Sequence, residues 1–185
     1  MFKTLFFRWL QGICCGVFLI NVAVIAYSQT QNQPTSLKPT TLILVRHAEK
    51  VLTPPSNDPE LSAEGMRRAE KLAIFFQAVP FAALYATPFK RTIGTAQPLA
   101  KQCGLSIQRY DASSGAPFLD SLLRQYEGKT VLIVGHSNTL PALLNLLAGN
   151  NEYAQLNDAD YDNVFIAALT RRGAASVTRL TFKIP

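Results

Sequence analysis

The chain has 185 residues, 48% of them hydrophobic and 16% charged, which suits one domain with a packed core and excludes an intrinsically disordered chain. Its formal net charge of +6 is carried by lysines and arginines scattered without a basic run or interleaved aromatics, which argues against nucleic acid as a partner. Three cysteines and two histidines, with no C-x-x-C pair, argue against a structural zinc site.

Residues 1–28 read as a signal peptide or an N-terminal membrane anchor. Lys3 and Arg8 form a positive start, and Leu10 to Tyr27 is an apolar run that includes Cys14 and Cys15. Ala26-Tyr27-Ser28 is a small-x-small pattern that a signal peptidase could cut before Gln29. Residues 29–40, Q-T-Q-N-Q-P-T-S-L-K-P-T, read as a polar linker. Either reading exports the domain expected over residues 41–185, as a periplasmic, secreted or membrane-anchored protein whose first segment engages the membrane during export. Cys103 is then the domain's lone cysteine and reads as a small apolar filler.

Along the domain, short apolar runs alternate with helical patterns. T-L-I-L-V at 41–45 reads as a buried strand. The stretch 61–79 reads as a helix capped by Ser62, with Met66, Ala69, Leu72, Ala73, Phe76 and Val79 on its buried face. A strand at 82–86 precedes a helix from Pro88 to Cys103, stopped by Gly104 and kinked at Pro98. A third strand is expected at 105–110, a helix at 117–127, a fourth strand at 130–134 and a helix from Asn138 to Ala148. Residues 163–169 and 175–182 read as an antiparallel hairpin at a sheet edge. This order predicts a three-layer α/β/α sandwich with a mostly parallel central sheet and an antiparallel edge strand.

Ligands of open α/β sheets bind beyond the carboxyl ends of the strands, and unusual residues collect there. Arg46-His47 follows the first strand, Arg91 lies one turn into the helix after the second, and Gly135-His136-Ser137-Asn138 follows the fourth. Two guanidiniums converging on one spot call for a multiply charged anion, and phosphate fits their forked donors. The helix start near Asn138 adds amide donors and a positive dipole end. Nearby arginines lower a histidine pKa and keep an imidazole neutral and nucleophilic.

L-V-R-H-A-E, Y-A-T-P-F-K-R-T-I-G-T-A and V-G-H-S-N-T-L-P resemble the three signatures of the histidine phosphatase superfamily, the phosphoglycerate mutase-like group, and L-S-A-E-G resembles its usual helix start. The likeness spans about residues 40–150 and is that of a small branch 1 phosphatase. It implies that His47 attacks phosphorus and becomes a phosphohistidine that water then hydrolyses. Arg46 and Arg91 would bind the phosphoryl oxygens, and His136 would donate to them in the transition state. Ser137 and Asn138 would assist in binding substrate. The chemistry so implied needs no metal and no cofactor.

The acid that protonates the leaving group is where the pattern departs. Members of the mutase type carry a glutamate between the second arginine and the second histidine, and this chain has none before Glu127. Asp111 stands in about the right place but could equally cap the loop that follows it. Glu49 is close to His47 in sequence, and the third option is that no acid exists, which would restrict the enzyme to good leaving groups. The segment 157–162, N-D-A-D-Y-D, could form a mouth loop with Tyr153 but reads first as a solvated loop, and Lys50, Lys90 and Arg109 could attract an anionic substrate but read first as single surface cations. Substrate selection falls to loops around 51–60, 111–117 and 150–162. The leading expectation is a phosphomonoesterase acting on a small phosphorylated substrate or a surface phosphosugar. The alternatives are a phosphate-recognising pseudoenzyme and a phosphomutase.

Overall fold

A computed structural model of the protein describes residues 38–184. The signal-peptide or anchor reading of residues 1–28, and most of the linker reading, lie outside the described residues.

A six-stranded sheet runs in the order β3-β2-β4-β1-β5-β6, with β1 at Thr40–Arg46, β2 at Phe81–Ala86, β3 at Ile107–Arg109, β4 at Thr130–Gly135, β5 at Asn163–Leu169 and β6 at Ser176–Thr181. The first four are parallel. β5 runs antiparallel to β1, and β6 antiparallel to β5. The helices are α1 at Ala63–Phe75, α2 at Lys90–Cys103, α3 at Gly115–Gln125 and α4 at Thr139–Ala148.

Alternation along the strands builds two cores. Leu42 and Leu44 of β1 pack with Val131 and Ile133 of β4 against Leu119 and Leu122 of α3 and the leucines of α4. Ile43 and Val45, with Leu132 and Val134, face the other way, onto Leu72 and Ala73 of α1 and Ala96 and Leu99 of α2. Burying both faces explains why the central strands read as unbroken apolar runs. The three-layer architecture is the expected one.

Several details differ from the sequence reading. Met66, placed on the buried face of α1, is 53% exposed. Ala69, Leu72, Ala73 and Phe76 are buried as expected, but in the first turns the buried positions are Gly65 and Arg68, where Arg68 reaches Glu49 and Asp162. α1 also ends at Phe75 rather than reaching Val79, while Ser62 does cap it, accepting from the Gly65 amide at 3.1 Å. β3 is three residues long, and the segment 111–117 expected as a loop is helical, forming a 3₁₀ turn at Ala112–Ser114 that leads straight into α3. α2 runs as one helix through Pro98 and stops at Gly104, whose φ of 66° suits glycine.

Candidate active site

Strand register assembles the site. Arg46 pairs with Gly135 across β1 and β4, and the His47 amide donates to the Gly135 carbonyl at 2.9 Å. The residues that follow, His47 and His136, therefore emerge side by side, with ring centroids 5.3 Å apart. On the other flank Ala86 pairs with Val134, so Thr87 leaves β2 next to the same strand end. These side chains open into a cavity of about 850 Å³ that is also lined by Arg91, Phe89, Lys50 and Arg109.

His47 is 4% exposed. Its Nδ1 lies 2.8 Å from the Ala48 carbonyl, and a carbonyl only accepts, so Nδ1 carries the proton and Nε2 keeps its lone pair. Burial, reinforced by the charges of His136, Arg46 and Arg91, pushes the His47 pKa down to about 3, against the opposing pull of the Ala48 hydrogen bond. The imidazole is therefore neutral and nucleophilic through the ordinary pH range.

His136 is fixed by a hydroxyl relay. The Thr92 hydroxyl donates to the Thr87 carbonyl at 2.8 Å and accepts from Thr87 Oγ1 at 3.0 Å. With its own proton committed, Thr87 Oγ1 accepts from His136 Nε2–H at 2.8 Å. The other nitrogen, Nδ1, is left as a lone pair 3.5 Å from Arg91 Nη2. Burial, then the charges of Arg91, Arg46 and Lys50, lowers the His136 pKa to about 4. Thr87→Val keeps the shape and removes the acceptor, leaving Nε2–H unpaired. The expected result is a fall in turnover of about 10–100-fold with a melting temperature lowered by the few degrees that one unpaired donor costs, checked by steady-state kinetics beside a thermal melt.

The two arginines are prepared differently. Arg46 Nη1 donates to the carbonyls of Asn157 at 2.7 Å and Asp158 at 3.1 Å, and its guanidinium lies over the Tyr161 ring at 4.3 Å. The segment 157–162, read as a solvated loop, is thus part of the site: Tyr161 also approaches His47 with ring centroids 6.1 Å apart. Arg91 lies over the Phe89 ring at 4.5 Å and has Asp58 3.7 Å from Nη1. Burial lowers the Arg91 pKa and the charge of Asp58 opposes that shift. Among the described residues, Arg46 Nε, Arg91 Nε and Arg91 Nη1 are buried side-chain nitrogens without a hydrogen-bond partner. Buried donors are rarely left so, and three in two side chains lining one cavity make a receptor for an anion rich in oxygen.

Ser137 and Asn138 line the cavity where α4 begins. The Ser137 carbonyl accepts from the Leu156 amide at 3.0 Å, and Asn138 makes no side-chain cap. Asp111 also lines the cavity, yet its carboxylate accepts from the Ser113 amide at 2.9 Å and the Ser113 hydroxyl at 2.7 Å. Those bonds hold its pKa below the usual carboxylate range, which favours the capping reading. Glu49 is bound by Arg68 at 2.7 Å and is not free to act as the acid. Among the described residues no cluster of His, Cys, Asp or Glu could hold a metal ion.

Sequence reasoning missed Thr87, Thr92, Tyr161 and Asp58. The two threonines could have been found from the expectation that a buried imidazole needs a partner on its second nitrogen. Nothing local marks Tyr161.

Residues 42–112 match the family model of the histidine phosphatase superfamily (branch 1). Among curated proteins no sequence match was found. Solved structures share the fold at low identity. A mycobacterial glucosyl-3-phosphoglycerate phosphatase aligns with a TM-score of 0.65 and 13% identity, over 78% of this chain and 99% of its own. A phosphoserine phosphatase from Entamoeba histolytica, in complex with 3-phosphoglyceric acid, gives 0.62 and 18% over 78% and 98%. The protein histidine phosphatase SixA, complexed with tungstate, gives 0.63 and 17% over 76% and 96%.

Proposed function

On a chain that matches the histidine phosphatase superfamily (branch 1) in sequence over residues 42–112 and shares the fold of such phosphatases, we propose a metal-independent phosphomonoesterase working through a phosphohistidine on His47. The observation that carries this reading is the set of unpartnered buried guanidinium N–H groups beside two neutral imidazoles. Arg46 and Arg91 receive the phosphoryl oxygens. His47 Nε2 attacks phosphorus as the ester P–O bond breaks, and water then attacks the phosphohistidine, releasing phosphate and restoring the imidazole. With Asp111 committed to its cap and Glu49 to Arg68, substrates with low-pKa leaving groups react best.

The substrate is a small anionic phosphoester. Support comes from Lys50 and Arg109 in the cavity wall and from the phosphoserine and glucosyl-3-phosphoglycerate phosphatases among the similar structures. We place the enzyme outside the cytoplasm, on the signal-like pattern of residues 1–28, where a surface phosphosugar is the candidate substrate. No helix among the described residues is long and apolar enough to cross a membrane.

The test is hydrolysis of para-nitrophenyl phosphate in excess EDTA across pH. Neutral His136 offers an acceptor at Nδ1, whereas a phosphoryl oxygen needs a donor, so the productive complex contains one extra proton. The expected kcat/KM is flat from about pH 4 to about pH 6 and then falls about tenfold per unit, as the substrate loses its second phosphate proton near pH 6. A profile rising through pH 7 would overturn the role given to His136. Phosphate binding without any turnover would favour a phosphate-recognising module.

A further inference from the structure

Arg68, on α1, is not among the cavity-lining residues and is only 8% exposed. Its Nη2 meets Glu49 at 2.7 Å and its Nε meets both Glu49 oxygens at 2.9 and 3.0 Å. Its Nη1 meets Asp162 at 2.7 Å and the Phe182 carbonyl at 3.2 Å. One guanidinium thus joins two segments that are distant in sequence and that both touch the reacting groups. Glu49 lies two residues after His47, and its carbonyl accepts the Ser62 amide at 2.9 Å. Asp162 closes the stretch whose carbonyls hold Arg46 Nη1 and whose Tyr161 ring supports Arg46 and faces His47.

We propose that Arg68 is a positioning residue that clamps the Glu49 turn to the 157–162 segment, and thereby sets the angle at which the free Nε and Nη2 edge of Arg46 meets the phosphoryl group beside His47. The proposal rests on the phosphatase reading. With Nη1 spent on carbonyls, Arg46 can present a two-pronged donor only if the loop carrying those carbonyls stays fixed. Asp158, whose side chain is fully exposed 3.9 Å from Arg46 Nη2, gives no such anchorage. The remaining fixed points are the Leu156 amide on the Ser137 carbonyl, the Phe182 amide on the Asp162 carbonyl at 2.7 Å, and the Asp162 carboxylate on Arg68, which also holds the Phe182 carbonyl and so ties that backbone contact to Glu49. A lysine at position 68 keeps the charge for Glu49 but cannot span both carboxylates and the Phe182 carbonyl.

The experiment is a double-mutant cycle of Arg68→Lys with Arg46→Lys on the full chain, reading inorganic phosphate affinity by calorimetry and para-nitrophenyl phosphate turnover. Arg68→Lys alone is expected to weaken phosphate binding about tenfold and lower kcat about 30-fold, and to add less than twofold once Arg46 is already lysine. Equal effects of Arg68→Lys in both backgrounds, or no effect in a folded protein, would overturn the clamp. If Arg68→Lys does not fold, Asp162→Asn decides: a smaller loss in the same direction, again absent in the Arg46→Lys background, supports it, and unchanged binding refutes it. A wild type that binds phosphate without turnover refutes the phosphatase reading while the calorimetric arm still judges the clamp. A wild type that binds no phosphate removes both.

Discussion

Replacing His47 with asparagine is expected to lower para-nitrophenyl phosphate turnover by about 10³-fold or more, with inorganic phosphate affinity changed by less than about threefold. Asparagine can still donate to the Ala48 carbonyl that His47 engages at 2.8 Å, so the end of β1 keeps its local bond while the nucleophilic Nε2 disappears. The two measurements separate covalent catalysis from binding. Kinetics and calorimetry on the same preparation check it, and a variant that keeps more than a tenth of wild-type turnover would mean that water attacks phosphorus directly. The companion change His136→Asn should be milder, because the proposed mechanism has His136 stabilise charge rather than form a bond.

The main residues of the proposed chemistry were legible because each stands within a residue or a turn of a strand end, and parallel register does the rest. Once β1 and β4 are recognised as neighbours, Arg46 opposite Gly135 places His47 against His136 without further information. What was not legible is whatever crosses the sheet from far away. Arg46 finds its carbonyls more than a hundred residues downstream, in a polar stretch whose composition is that of any solvated loop. Glu49 looked available as an acid because its partner, Arg68, occupies a helix position that the apolar period assigned to solvent. Met66 shows the same error from the other side: hydrophobic spacing named it as core and was right for Ala69, Leu72, Ala73 and Phe76, but in the first turns Gly65 and Arg68 take the buried positions and Met66 stays outside. Asp111 was legible only as a pair of options, since both a general acid and a cap put a carboxylate before small residues. The two hydrogen bonds from Ser113 show that the cap is made, while the same residue lines the cavity.

Gly65→Ala should be among the most disruptive single changes in the chain, against the usual rule. Alanine in a helix interior normally stabilises by about 0.5–1 kcal/mol over glycine. Here the new Cβ would fall well inside contact distance of the Glu49 carbonyl oxygen and 3.0 Å from the Glu49 carbonyl carbon and amide nitrogen. Backbone cannot swing aside as a side chain can, so either α1 retreats or the turn after His47 does. Overpacking of this kind costs about 1–3 kcal/mol, and a shift of about 1 Å at the nucleophile costs roughly 100-fold in rate. The expected outcome is therefore a lower melting temperature together with a turnover loss of about two orders of magnitude. Gly94→Ala is the control, since its Cβ would meet only the flexible end of Leu61 at 3.2 Å, and near-normal turnover is expected there. A Gly65→Ala protein with wild-type melting and turnover would mean that the close approach of α1 to the Glu49 turn does not hold His47 in place, and the clamp assigned to Arg68 would lose the contact on which its Glu49 arm depends.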